Sequence, residues 1–156
     1  MKTDLLDFLD QLIETQNQML AVLHRKQALL VRPEKEAIAS ISVEEEEAVE
    51  KMQQVLSRRE ELLTAARLQN VNGDSIEQLC EHFFPRNIEV NKILDEVKHK
   101  THQIRLLAYT NWTMSRQSMI HVSQILELLE TRGQGKTTYH PRPPCASGGG
   151  LVDRVA

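Results

Sequence analysis

Five of the six glycines and three of the five prolines in this chain lie after residue 132. Before that point only Pro33, Gly73 and Pro85 act as breaks, so the first 131 residues are free to run as long helices. Apolar periodicity uses that freedom. Leu5, Leu9, Leu12, Gln16, Met19, Leu23, Lys26 and Leu30 alternate at spacings of four and three, a coiled-coil-like seam with two polar interruptions. Leu6, Ile13 and Leu20 widen it enough to meet more than one neighbour.

A second run is expected to open with Pro33 at its first helical position, where the missing N–H costs nothing. Its seam reads Ile38, Ile41, Ala48, Met52, Val55 or Leu56, Leu62 or Leu63, and Ala66. "NGDSIEQ" marks a break and restart, with Asp74 and Glu77 at capping-box spacing. A short helix then carries Ile76, Leu79, Cys80, Phe83 and Phe84 up to Pro85. The last run, from about Arg86 to Glu130, would be roughly 65–70 Å long at the helical rise. Its seam is Val90, Leu94, Val97, Thr101, Ile104, Ala108, Asn111, Ser115, Ser118, Val122, Ile125 and Leu129, small and polar in the middle. The predicted fold is all-α: an elongated, antiparallel, coiled-coil-like helical bundle over 1–131, then a disordered, basic, Gly/Pro-rich tail over 132–156.

Charge and cysteine usage narrow the setting. The formal net charge is −3, which argues against nucleic acid as a partner because that needs a clustered basic surface. The tail holds Arg132, Lys136, Arg142 and Arg154 against Asp153, so the body carries −6. Cys80 and Cys145 lie far apart, a pattern that fits a reducing compartment better than a structural disulfide. Asp4, Asp7 and Asp10 interrupt the N-terminal apolar residues, unlike a signal peptide, and no run approaches the ~20 apolar residues of a membrane span. A soluble, cytoplasmic protein with no membrane insertion is expected.

No residue pattern builds an active site. "GQGKTTYHP" contains the Gly-Lys-Thr half of a phosphate-binding loop, but the first glycine of that motif falls on Glu130, and no strand precedes it. His99 and His102 share a helix face without a third ligand at zinc spacing, among Lys98 and Lys100. Cys80 and His82 point to different faces. "EEEE" at 44–47 spreads its carboxylates around a helix, a solvated face rather than a cation site. The serines near His121 lie in regular helix, without a nucleophile turn. Trp112, beside the seam, is expected at the core edge or against a partner. No catalytic residue, metal or cofactor is expected.

Three stretches carry a resemblance to a family. "EEEEAVEKMQQVLSRREELLTAA" has a leucine-rich seam leading to Arg58 or Arg59 and Leu62-Leu63. "NWTMSRQSMIHVSQILELLE" places Asn111 before a leucine-rich helix end, and "TTYHP" places Thr138-Tyr139 after a short basic linker. The chain resembles the FlgN-like flagellar export chaperones, with His140 where the family's tail signal usually has glycine.

That resemblance implies a non-enzymatic cytoplasmic chaperone for hook-associated (hook–filament junction) proteins. Such a chaperone binds its clients' terminal helical segments, prevents premature assembly and delivers them to the export gate's cytoplasmic domain. An amphipathic client helix would lie in a groove along the last helix, at Asn111, Met114, Ser118, Val122, Ile125 and Leu129. Thr138 and Tyr139 would meet the gate. Two alternatives stay open: a chaperone for flagellin or the filament cap, and a structural coiled-coil protein without a client. Monomer and homodimer are both compatible with the seams.

Overall fold

The structure, a computed structural model, describes residues 1–69, 71 and 73–133. It contains α1 (Lys2–Val31), α2 (Lys35–Leu68), α3 (Ile76–Phe83) and α4 (Ile88–Gly133), with no strand among the described residues. The all-α expectation holds; α4 runs through Gly133, two residues into the tail expected from 132, and the rest of that tail falls outside the described residues. Two compact units are distinguished, Met1–Ser118 and Met119–Ala156.

Within the first unit, α1 and α2 form an antiparallel hairpin with polar contacts spaced along its length. Arg58 donates to Gln11 at 3.1 Å, Lys51 to Gln18 at 3.3 Å, and Lys26 to Glu45 at 2.8 Å, while Arg25 pairs with Glu44. Two of the four consecutive glutamates thus face α1, and Glu46 and Glu47 remain exposed. Pro33 is not the first residue of α2. Arg32, before the proline, is kept out of the helical region (φ −132°, ψ 89°), and Glu34, extended at φ −116° and ψ 121°, takes the N-cap position of α2 without a side-chain capping bond. The turn therefore takes up the proline, and the helix starts at Lys35.

Helix α4 runs parallel to α1. Gln16 donates through Nε2 to the Val97 carbonyl (3.2 Å) and to Thr101 Oγ1 (2.9 Å), and Asn111 Nδ2 donates to the Leu23 carbonyl (2.8 Å). These polar pins separate or flank two apolar clusters. One joins Leu5, Phe8 and Leu9 of α1, Val55, Leu62, Leu63 and Ala66 of α2, Ile76, Leu79 and Cys80 of α3, and Val90 of α4. The other joins Met19, Val22 and Leu23 to Ile41 and Ala48, with Ile104 and Leu107 against it. Each fully buried Leu or Phe contributes about 1.5–3 kcal/mol of transfer free energy, so the first cluster is the main anchor of the unit.

Both residues of the Leu62-Leu63 pair are buried, and Val55 is buried where Leu56 is exposed. Ile38 is exposed, and Leu107 takes the inward position expected of Ala108. The α4 seam drifts because 3.6 residues per turn do not keep a strict four–three alternation on one line.

The connections around α3 hold two local devices. Ser75, not Asp74, caps the helix: its Oγ accepts from the Gln78 N–H (3.2 Å), and Gln78 Oε1 accepts from the Asp74 N–H (2.7 Å). The box is one residue later than expected because Ser75 is the residue that turns extended before Ile76. Asn87 caps α4, accepting from the Glu89 and Val90 N–H groups after Arg86, which adopts a left-handed φ of 62°. Phe84 terminates α3, so the short helix carries Phe83 but not Phe84.

Candidate functional site

The described part of the second unit is the end of α4, and there every side chain from Met119 to Glu130 is exposed. Val122 is 56 % exposed, Ile125 57 % and Leu129 62 %. At about 100° per residue, Met119, Val122, Ile125, Leu126 and Leu129 fall within one side of the helix, roughly 120° wide. His121, Ser123, Gln124, Glu127 and Glu130 occupy the rest, with Ile120 and Leu128 off the stripe. Ser123 returns its hydroxyl to the Met119 carbonyl at 3.0 Å and so presents no free donor. Exposure of a contiguous apolar stripe is unfavourable until it is covered, which makes this side of the helix the candidate surface.

The sequence-derived client residues divide between different surroundings. Val122, Ile125 and Leu129 lie together on this stripe. Asn111 belongs to the first unit, is 2 % exposed, and spends its amide on α1, while its Oδ1 is buried without a partner. Met114 is half-buried, and exposed Ser118 donates to the Met114 carbonyl at 3.0 Å. The small, polar middle of the seam, Thr101 to Ser118, was expected to pack loosely; over its first part, Thr101 to Asn111, α1 already contacts it through Gln16 and Leu23. Met119 and Leu126 were missed. The signal for them was their i−3 and i+4 relation to Val122. Thr138 and Tyr139 lie outside the described residues, as does Lys136.

The candidates for chemistry are dispersed. His99 and His102 are both exposed, and no group of three or more His, Cys, Asp or Glu side chains converges among the described residues. Burial, with a smaller contribution from Glu77, raises the Cys80 thiol to about 11, which leaves it protonated at neutral pH. Glu130 sits in helix, not in a strand-to-helix loop. No helix among the described residues is long and apolar enough to cross a membrane. Trp112 is exposed, tilted against Tyr109 with ring centroids 6.1 Å apart.

No curated protein and no solved structure matches the chain. Residues 1–142 match the family model described as FlgN protein, which spans all four helices. A long-helix body, an exposed apolar stripe at the end of α4 and a family match over nearly its whole length agree, and the chain belongs to the FlgN family of flagellar export chaperones.

Proposed function

We propose that the chain is a cytoplasmic chaperone for hook-associated proteins, and that Val122, Ile125 and Leu129, with Met119 and Leu126, receive the client's terminal helical segment. The observation that supports this reading most is the exposed apolar stripe on the end of α4. A client helix laid along it would bury both apolar faces, which gives the chaperone affinity and keeps the client's assembly surface covered. Thr138 and Tyr139, in the C-terminal segment, make the export-gate contact, with tyrosine as the aromatic anchor. No step requires nucleotide or metal at the chaperone itself.

The experiment is a calorimetric titration of the full chain with terminal segments of the junction proteins, of flagellin and of the filament cap. Saturable binding of a junction segment alone is the expected result. Binding of flagellin or cap segments in its place would reassign the client, and binding of none would remove the chaperone reading of this surface. In a second titration, the preformed complex is added to the gate's cytoplasmic domain. Tyr139→Ala should weaken that step by at least ~2 kcal/mol while leaving client affinity unchanged.

A further inference from the structure

On α4 a second row of residues follows the inward seam one position behind it: His102, Arg105, Tyr109, Trp112 and Arg116, at spacings of three, four, three and four. One residue is about 100° around a helix, so this row points away from the side that meets α1. All five side chains are exposed, Tyr109 to 66 % and Trp112 to 55 %. They are also arranged. The two rings lie against one another, and the Arg116 guanidinium sits over the indole, 5.4 Å from the ring centroid. Tyr, Trp and Arg are the side chains most enriched where binding energy concentrates, and here they are already positioned before any partner arrives.

The charge along this helix is equally uneven. From Val97 to Leu126 there are Lys98, Lys100, Arg105 and Arg116 and not one Asp or Glu, in a chain whose net charge is −3. Lys98 is paired with Glu77 (3.2 Å) and Lys100 with Glu96 (2.6 Å). Arg105 and Arg116 have no carboxylate partner among the described residues; they stand at the two ends of the aromatic pair.

We infer that the His102–Arg116 row is a docking face distinct from the apolar stripe of residues 119–129, and that its occupant is an acidic amphipathic helix of a partner protein. The row's three–four spacing is that of a helix seam, so a second helix can lie along it with apolar residues on Tyr109 and Trp112. Arg105 and Arg116 are eleven residues apart, or about 16 Å along the axis. The partner therefore carries carboxylates about three helical turns apart on one side of its apolar ridge. Two unpaired arginines on an acidic protein do not make the clustered basic surface that phosphate backbones require.

Trp112 is the chain's one tryptophan, so its emission reports on this face alone. The probe is a synthetic three-heptad peptide with Leu at a and d and Glu at e and g. Its controls are the same peptide with Lys at e and g, and a uridine homopolymer. Added to the full chain, the Glu peptide should shift Trp112 emission to the blue and saturate below ~200 µM, a weak-to-moderate affinity, and added salt should weaken it. The Lys peptide and the RNA should do neither. Arg105→Glu with Arg116→Glu should weaken Glu-peptide binding at least about tenfold with helicity and melting unchanged, since both side chains are exposed. Val122→Asp with Ile125→Asp should leave it unaltered.

Three results would overturn the inference. They are no saturable response to the Glu peptide, an equal response to the Lys peptide or the RNA, and loss of the response in the Val122/Ile125 variant, which would place the acidic helix on the apolar stripe. Because the readout uses neither a junction protein nor the gate, failure here is separable from failure of the chaperone reading.

Discussion

Changing Val122 and Ile125 together to Asp separates the apolar stripe's role in binding from any role in folding. Both side chains are somewhat more than half exposed. Full burial of a Val or Ile contributes about 1.5–3 kcal/mol, so covering the exposed half yields about 1–1.5 kcal/mol from each. Losing both removes roughly 2–3 kcal/mol, and forcing two carboxylates into an apolar contact adds a desolvation penalty. The double variant should therefore bind a junction-protein segment more weakly by at least ~3 kcal/mol, about two orders of magnitude in Kd. Folding should barely notice, because exposed substitutions mostly cost within about 0.5 kcal/mol each and Asp lowers helix propensity by only a few tenths. Calorimetry gives the affinity; circular dichroism and a thermal melt on the same sample show that the helices persist. Ile120→Asp is the internal control, since it lies about 160° around the helix from Val122 and should cost far less binding. A folded double variant whose Kd stays within threefold of the parent, or an Ile120 variant that loses as much, would refute the assignment.

The polar pin at Asn111 should behave as a structural contact. Asn111→Ala loses the bond to the Leu23 carbonyl and leaves a small void, destabilising the chain by about 1 kcal/mol in urea unfolding. Asn111→Leu, of similar shape, should be near neutral because it also removes the unpaired buried Oδ1. Gly73→Ala should cost about 1–3 kcal/mol by the same assay. A Cβ there would stand 2.8 Å from Leu79 Cδ2, and Leu79 is locked in the core; an unchanged midpoint would show that Leu79 can shift freely. Stability should also fall as pH rises from about 9 toward 11. Below pH 9 the Cys80 thiol is protonated folded and unfolded; above it the unfolded thiol ionises first, since burial holds the folded one up to about 11. Cys80→Ala should flatten that limb of the pH profile.

The sequence by itself determined the helical class, the breaks at Pro33, Gly73 and Pro85, and most of the inward positions of α1. Glycine and proline placement and apolar spacing act through the chain's own backbone, so they are legible without neighbours. It also placed Val122, Ile125 and Leu129 on one side of one helix, because that relation depends only on 3.6 residues per turn. The tertiary structure decided what periodicity leaves undetermined. Ile38 and Leu56 satisfy the same pattern as Ile41 and Val55, and only the position of α1 selects the second pair for burial. Asn111 looks like a surface polar residue in a seam until the Leu23 carbonyl is found 2.8 Å away. The capping position fell on Ser75 in place of Asp74 because the turn out of α2 sets which residue is extended. The row from His102 to Arg116 reads in sequence as the charged outer side of a helix. That its rings lie together is a tertiary-level fact, and that Lys98 and Lys100 are paired while Arg105 and Arg116 have no carboxylate partner among the described residues depends on where α3 and the neighbouring turns of α4 put Glu77 and Glu96. Local periodicity fixes which residues share a face; only packing determines which faces are already taken.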